Sequence, residues 1–267
     1  MLETMKHTAK ALMPVFGHHD PEEITHDLCC HYVSSRRGVG RADGTIHTEL
    51  GHLRTVLLWA VKRRHISHAC HIERPAKPSP KDRHLTRDEA RRLMDAARAH
   101  HVRLAIILLL GTAARVRAIL DLTWDRCNFD KGLIHLRDPD DTTPRKGRAV
   151  VPMNGMVRAA LSDAREGALS NHVIEWAGKP VLSIKKGMGT AARKAGLVGV
   201  SPHVLRHTAA VWMAEGKVPM EEIAQYLGHR DNRVTKHIYA RFSPDYLRGA
   251  AEVLNLDMVR SAKERES

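Results

Sequence analysis

Three prolines within six residues break the chain, and this break constrains the fold more than any other feature of the sequence. The segment runs Arg74-Pro75-Ala76-Lys77-Pro78-Ser79-Pro80-Lys81. Proline fixes its own φ and lacks a backbone donor, so such a segment is extended and semi-rigid. We therefore predict two domains, residues 1–76 and 84–267, joined by a linker over residues 77–83.

The first domain has the pattern of a helical module. Along a predicted helix from Thr45 to Arg64, apolar residues recur at three- and four-residue steps, at Leu50, Leu53, Leu57, Leu58 and Val61. Asp20 is a predicted N-cap for an earlier helix that begins at Pro21 and continues through Tyr32. Glycines from Gly38 to Gly44 predict a loop between the two helices.

The second domain is mainly helical with one predicted pair of strands. Thr86, followed by glutamate three residues later, and the pair Ser201-Pro202 both predict helix starts. Leu133–Leu136 and Ala149–Pro152 flank a turn-rich polar segment, which predicts a β-hairpin. Helical patterns resume after Asn154 and continue to Val259. The predicted fold class is mainly α with a small β-sheet.

The chain is strongly basic, with 43 Lys and Arg against 30 Asp and Glu and a formal net charge of +13. This balance favours a polyanionic partner. An ordinary solvated surface is the alternative for any single basic residue. The candidate contact residues of the first domain are Arg36, Arg37, Arg41, Arg54, Lys62, Arg63 and Arg64.

Composition also bears on location and on metals. The longest apolar run, Leu104–Leu110, is far shorter than the roughly 20 residues of a membrane span. The chain opens without a secretory leader pattern, and its four cysteines fit reduced thiols, so we expect a cytoplasmic protein with no membrane partner. The histidine clusters lack the paired ligand spacing of a zinc site, so we expect no metal.

Five side chains of the second domain are candidates for a chemical role: Arg115, His203, Arg206, His229 and Tyr239. His203 and Arg206 are three residues apart and are expected to share a helix face, where they could grip one phosphate. Taken singly, each has an ordinary alternative as an ion pair, a helix cap or core packing. The neighbouring His207 is expected to point elsewhere and to be structural.

The order and spacing of these residues resemble the tyrosine recombinase (phage integrase) family. The matching stretches are TAARVRAILDLTW, HVLRHT, LGH and the segment around Tyr239, and the resemblance covers about residues 84–250. It implies an α+β catalytic domain. The helical first domain then resembles the family's DNA core-binding domain. It is short for that module, so either the DNA clamp is reduced or the chain starts inside it.

The resemblance implies a role for each residue. Arg115 and Arg206 hold the scissile phosphate, His203 transfers a proton and His229 donates a hydrogen bond to the phosphate. Tyr239 attacks the phosphate and forms a 3′-phosphotyrosyl intermediate.

The resemblance also implies a lysine of the β-hairpin that protonates the leaving 5′ oxygen. Lys146 is our choice, although Arg145 and Arg148 lie close by. The implied partners are double-stranded DNA, further copies of the chain in a homotetramer on synapsed DNA, and DNA-bending accessory proteins. The implied location is the nucleoid of a prokaryote, or a phage. No cofactor is implied, because the arginines take the electrostatic role of metal ions.

Two departures from the family pattern keep alternatives open. Ala118 stands where family members carry glutamate, and the first domain is short. A DNA-binding protein of the same fold without catalytic activity is therefore the main alternative, and a topoisomerase with the same chemistry is a third. Tyr246 is the next candidate nucleophile.

Overall fold

A computed structural model describes residues 2–77, 82–137 and 150–228, together with Thr235 and Tyr239. The chain divides between Lys81 and Asp82 into two compact units. This division lies inside the segment 77–83. Each unit has its own hydrophobic core.

The N-terminal unit is helical. Its helices are α1 (Leu2–Phe16), α2 (His26–Gly38) and α3 (Asp43–Lys62). The predicted helix from Pro21 to Tyr32 is wrong at its start, because Pro21–Glu23 forms only a 3₁₀ turn. The backbone is extended at the buried Ile24, and Thr25 caps α2 by accepting the N–H of Leu28 at 3.3 Å. The predicted loop is also shorter than expected, since α3 includes Gly44.

A buried carboxylate ties α2 to α3. Glu49 accepts a hydrogen bond from the Tyr32 hydroxyl at 2.8 Å and two from Arg36, at 3.0 Å from Nε and 2.6 Å from Nη2. Burial by itself raises the pKa of Glu49, but the hydrogen bonds from Arg36 and Tyr32 outweigh it and the net pKa is lowered. The carboxylate is therefore held in its charged form.

The C-terminal unit is built around one apolar helix. Its helices are α4 (Arg87–Ala96), α5 (His100–Thr112), α6 (Val116–Leu120), α7 (Gly155–Glu166), α8 (Lys185–Lys194), α9 (Pro202–Glu215) and α10 (Met220–Tyr226). The predicted apolar run Leu104–Leu110 forms the centre of α5, which packs against α4, α6, α7, α8 and α9. This all-round packing explains why the run is apolar on every face.

The predicted helix starts of this unit are confirmed. Thr86 accepts the N–H of Glu89 at 3.1 Å, and the Glu89 carboxylate accepts the N–H of Thr86 at 2.9 Å, which completes a capping box before α4. Ser201 accepts the N–H of Val204 at 3.3 Å, and Pro202 occupies the first position of α9. Both caps satisfy N–H groups that a helix leaves without internal partners.

The predicted hairpin is also confirmed. Strands β1 (Cys127–Asn128), β2 (Leu133–His135) and β3 (Val150–Pro152) form an antiparallel sheet in which Ile134 pairs with Val151. The prediction that only helical patterns follow Asn154 is wrong for residues 175–180, because β4 (Glu175–Trp176) and β5 (Lys179–Pro180) form a second hairpin between α7 and α8. The fold is mainly α with small sheets. In the described ranges, no helix is long and apolar enough to cross a membrane.

Removing the charge of Glu49 should destabilise the N-terminal unit. Glu49→Gln removes the buried negative charge that accepts hydrogen bonds from the half-buried Arg36 and from Tyr32, and losing such bonds costs about 1–3 kcal/mol. Because the folded pKa of Glu49 is lowered, its contribution is present above the unfolded pKa and is lost as the pH falls through the folded pKa. Urea unfolding of the full chain at neutral and acidic pH measures both effects.

Asp43→Asn is the matched control, since Asp43 pairs with Arg37 on the surface. A solvent-exposed pair contributes little, so this variant should unfold like the unmodified chain. Equal stability losses in the two variants would contradict the role assigned to Glu49.

Candidate active site around Arg206 and Tyr239

Arg206 joins the ends of two other helices to α9. Its Nη1 donates to the Ala113 carbonyl at 2.6 Å, just past α5, and its Nη2 donates to the Leu227 carbonyl at 2.8 Å, just past α10. The residue is 9% exposed. A rigid guanidinium fork can hold two carbonyls at fixed positions, so Arg206 sets the relative placement of three helices.

The end of α5 is shaped for this contact. Ala113 has φ +49°, a left-handed conformation that costs a non-glycine residue roughly 1–2 kcal/mol. It ends α5 and turns its carbonyl towards Arg206. The Tyr226 hydroxyl donates to the Gly111 carbonyl at 2.9 Å, which adds a second link between α10 and the end of α5. Arg115 follows immediately as the N-cap residue of α6.

Two positive charges lie close together here. The pKa of Arg206 is lowered to about 10, first by burial and then by the positive charge of Arg115, while Tyr239 acts in the opposite direction. Arg206 still carries its charge at neutral pH, because this pKa lies well above 7. Two neighbouring guanidinium groups are stabilised when an anion binds them, and planar forks suit the oxygens of a phosphate.

Tyr239 lies close enough to Arg206 for the two groups to interact electrostatically. It is 6% exposed and belongs to an apolar cluster that includes Ala113, Ala210 and Leu227. Burial raises the pKa of Tyr239, and the positive charge of Arg206 offsets part of the rise. The structure therefore brings together three of the predicted site residues, Arg115, Arg206 and Tyr239.

His203 lies in the first turn of α9, one turn before Arg206. The two differ in environment, since His203 is exposed and Arg206 is buried. His203 lines a groove of about 400 Å³ together with Arg117 of α6 and Lys185 of α8. A groove with three basic side chains along it is suited to an anionic ligand.

Some predicted residues lie outside the described residues, namely Lys146, His229 and the alternative nucleophile Tyr246. The turn before His229 is described: Gly228 has φ +62°, and the Leu227 carbonyl that precedes it is held by Arg206. Ala118, at the position where the family carries glutamate, is a residue of α6 and is buried in the hydrophobic core.

The predicted contact residues of the N-terminal unit have two kinds of surroundings. Arg36 and Arg37 donate to the carboxylates of Glu49 and Asp43, respectively. The other five are exposed: Arg41, Arg54, Lys62, Arg63 and Arg64. Arg36 therefore has a structural role within the unit, and contact with a polyanion stays a prediction for all seven.

One residue of the site was not identified from the sequence. The His207 ring lies against the Tyr239 ring, with centroids 5.3 Å apart and planes at 36°. The prediction from the sequence, that His207 points away from the site and is structural, is wrong about the direction of the ring. No local pattern marks the contact, because it depends on where the chain returns 32 residues later.

Arg206→Lys should destabilise the C-terminal unit. A lysine ammonium is compact and cannot reach both carbonyls as the fork does. At least one buried carbonyl then loses its donor, which lowers the free energy of unfolding by about 1–3 kcal/mol. Arg117→Lys, the same change at an exposed position two residues after Arg115, should unfold like the unmodified chain in the same denaturant titration. Equal midpoints in both variants would show that the two carbonyl contacts contribute nothing.

Comparison with known proteins agrees with this geometry. The model of the phage integrase family matches residues 83–245. The tyrosine recombinase XerA of Pyrococcus furiosus is 30% identical over 195 residues, which is 69% of this chain. The match covers 66% of that relative's own length.

Solved structures share the fold. The integrase of transposon Tn1549, in complex with a circular intermediate DNA, superposes with a TM-score of 0.75 and 17% identity over 94% of both chains. A lambda integrase tetramer bound to a Holliday junction gives a TM-score of 0.74 with 19% identity, over 89% of this chain and 70% of that one. The family match spans more than half of the sequence and includes Arg115, Arg206 and Tyr239, and the chain belongs to the phage integrase family.

Proposed function

We propose that this chain is a site-specific recombinase that cleaves and rejoins DNA strands through a covalent tyrosine intermediate. The observation that carries the proposal is the position of Tyr239 beside the buried guanidinium of Arg206. A phosphodiester resists attack because it is already anionic. Arg115 and Arg206 neutralise its non-bridging oxygens and stabilise the extra charge of the transition state.

The reaction needs no external energy source. The phenolic oxygen of Tyr239 bonds to phosphorus as the bond from phosphorus to the 5′ oxygen breaks. His203 takes the phenolic proton, Lys146 gives a proton to the 5′ oxygen, and His229 donates a hydrogen bond to the phosphate. A 5′ hydroxyl of another strand then attacks the phosphotyrosine and reverses the steps, which restores the phenol.

The comparisons support the substrate and the assembly. The relative from Pyrococcus furiosus is named a tyrosine recombinase, and the lambda integrase structure is a tetramer on a Holliday junction. We extend both to this chain: double-stranded DNA as substrate, a homotetramer on synapsed sites, and DNA-bending accessory proteins as further partners. Such a substrate places the protein at the nucleoid of a cell.

The exposed basic residues of the N-terminal unit supply affinity. Arg41, Arg54 and Lys62 belong to an exposed set that contacts backbone phosphates in this proposal. Phosphate contacts give affinity without reading sequence, so the first unit clamps the duplex while the second performs the chemistry.

Tyr239→Phe should abolish the covalent protein–DNA adduct and leave DNA binding intact. The ring remains to fill its apolar cluster, but the nucleophilic oxygen is gone. Denaturing gels with a nicked suicide substrate measure the adduct, and gel-shift titration measures binding. Tyr246→Phe is the control and should form the adduct.

The alternatives predict different results. An adduct that persists in Tyr239→Phe and disappears in Tyr246→Phe would move the nucleophile to Tyr246. DNA binding by the unmodified chain without any cleavage would favour the inactive DNA-binding protein. Relaxation of supercoiled DNA without sequence preference would favour a topoisomerase.

The DNA affinity should fall steeply with salt. A clamp that neutralises eight to twelve phosphates gives a slope of log K against log salt of roughly −7 to −11. Arg54→Ala should make the slope shallower by about 1, because one phosphate contact is lost. Arg92→Ala, which removes an exposed arginine paired with Asp88, should leave the slope unchanged. Titrations from low to moderate salt test this, and an unchanged slope in Arg54→Ala would remove that residue from the contact set.

A further inference from the structure

The ring of His207 lies close to two other rings. The Tyr239 ring is 5.3 Å away between centroids, and the His84 ring is 6.3 Å away with planes at 64°. His207 is half-buried on α9, immediately after Arg206. The residue that holds the carbonyls of the site and the residue that contacts the tyrosine are therefore consecutive on one rigid helix.

The segment that carries His84 is itself fastened to α9. The Leu85 N–H donates to the Thr208 hydroxyl at 2.9 Å, and the Trp212 indole N–H donates to the Leu85 carbonyl at 3.0 Å. Both bonds are on the residue next to His84, so they fix the backbone of this segment to α9 close to His207. The His84 ring that contacts His207 is therefore carried by a segment whose backbone is bound to the same helix.

Among the described residues, the other buried members of the apolar cluster around Tyr239 are all aliphatic. They include Ala113, Ala210, Ile223 and Leu227. Methyl groups fill space but define no plane for an aromatic ring. The tilted contact with His207 is the one ring–ring contact described for Tyr239, and offset or tilted aromatic pairs have preferred geometries.

We propose that His207 is a positioning residue that sets the plane of the Tyr239 ring for attack on the phosphate. This inference rests on the proposed function. Attack requires the phenolic oxygen in line with the leaving oxygen, and a displacement of about 1 Å can slow a reaction roughly 100-fold. His207 acts through the shape of its ring and moves no proton. It touches neither DNA nor the reacting phosphorus.

Three variants separate ring shape from other roles. His207→Ala removes the ring, His207→Leu keeps apolar volume without a plane, and His207→Phe keeps a plane without a titratable group. At saturating protein on a nicked suicide substrate, we expect Ala and Leu to slow adduct formation by about 30- to 100-fold and Phe to stay within about threefold. The DNA dissociation constant should be unchanged in all three.

His101→Ala is the matched control. His101 is also half-buried and also packs against an aromatic ring, Trp176 at 5.1 Å, but it lies on α5 outside the cluster around Tyr239. It should form the adduct at the unmodified rate. If removing either histidine lowers stability slightly, the His101→Ala control shows whether that loss alone slows adduct formation.

Each result decides the proposal. Slow adduct formation in His207→Ala and His207→Leu, together with a nearly unmodified rate in His207→Phe, supports positioning by ring shape. If Ala does not fold, Leu against Phe gives the same comparison. Equal rates of adduct formation in all three variants overturn the positioning proposal. Slow adduct formation in His207→Phe also overturns it, and would point to proton transfer by His207. Among the outcomes of this experiment, only an unmodified chain that forms no adduct overturns the proposed function itself.

Discussion

A buried guanidinium between two backbone carbonyls organises the C-terminal unit. Arg206 fixes the turn at Ala113, which leads into Arg115, and the turn at Leu227, which leads into His229. Arg115 and His229, two of the other predicted phosphate-binding residues, thus follow backbone segments that Arg206 holds. The cost of burying this charge is offset by both carbonyls, and the strained conformation of Ala113 is maintained by the same contact.

Arg36 of the N-terminal unit and Arg206 of the C-terminal unit differ in the direction of their pKa shifts. Hydrogen bonds from Arg36 to Glu49 raise the pKa of Arg36, so its charge is satisfied within the fold. The pKa of Arg206 is lowered by burial and by the positive charge of Arg115. Arg36 has a carboxylate as its partner, whereas the hydrogen bonds described for Arg206 go to the neutral carbonyls of Ala113 and Leu227.

Local signals in the sequence were sufficient where the structure depends on neighbouring residues. The capping box at Thr86 and the hairpin at Ile134 follow from short patterns. The start of α2 was misplaced, because a buried Ile24 and the cap at Thr25 outweighed the Asp20-Pro21 signal. The hairpin of β4 and β5 was missed because each strand is two residues long. The contact of His207 with Tyr239 could not be predicted from local patterns, because it joins residues 32 positions apart in the sequence.

The charge balance around Tyr239 requires a base in the proposed reaction. In the free protein, burial raises the pKa of Tyr239 and Arg206 offsets part of that rise. A phosphate bound to Arg206 neutralises the charge that provides this offset, so the phenol becomes harder to ionise when its target is in place. Electrostatics alone therefore do not activate the nucleophile. The proton must be removed during attack, which is the part the proposal gives to His203, while Arg115 and Arg206 act on the phosphate.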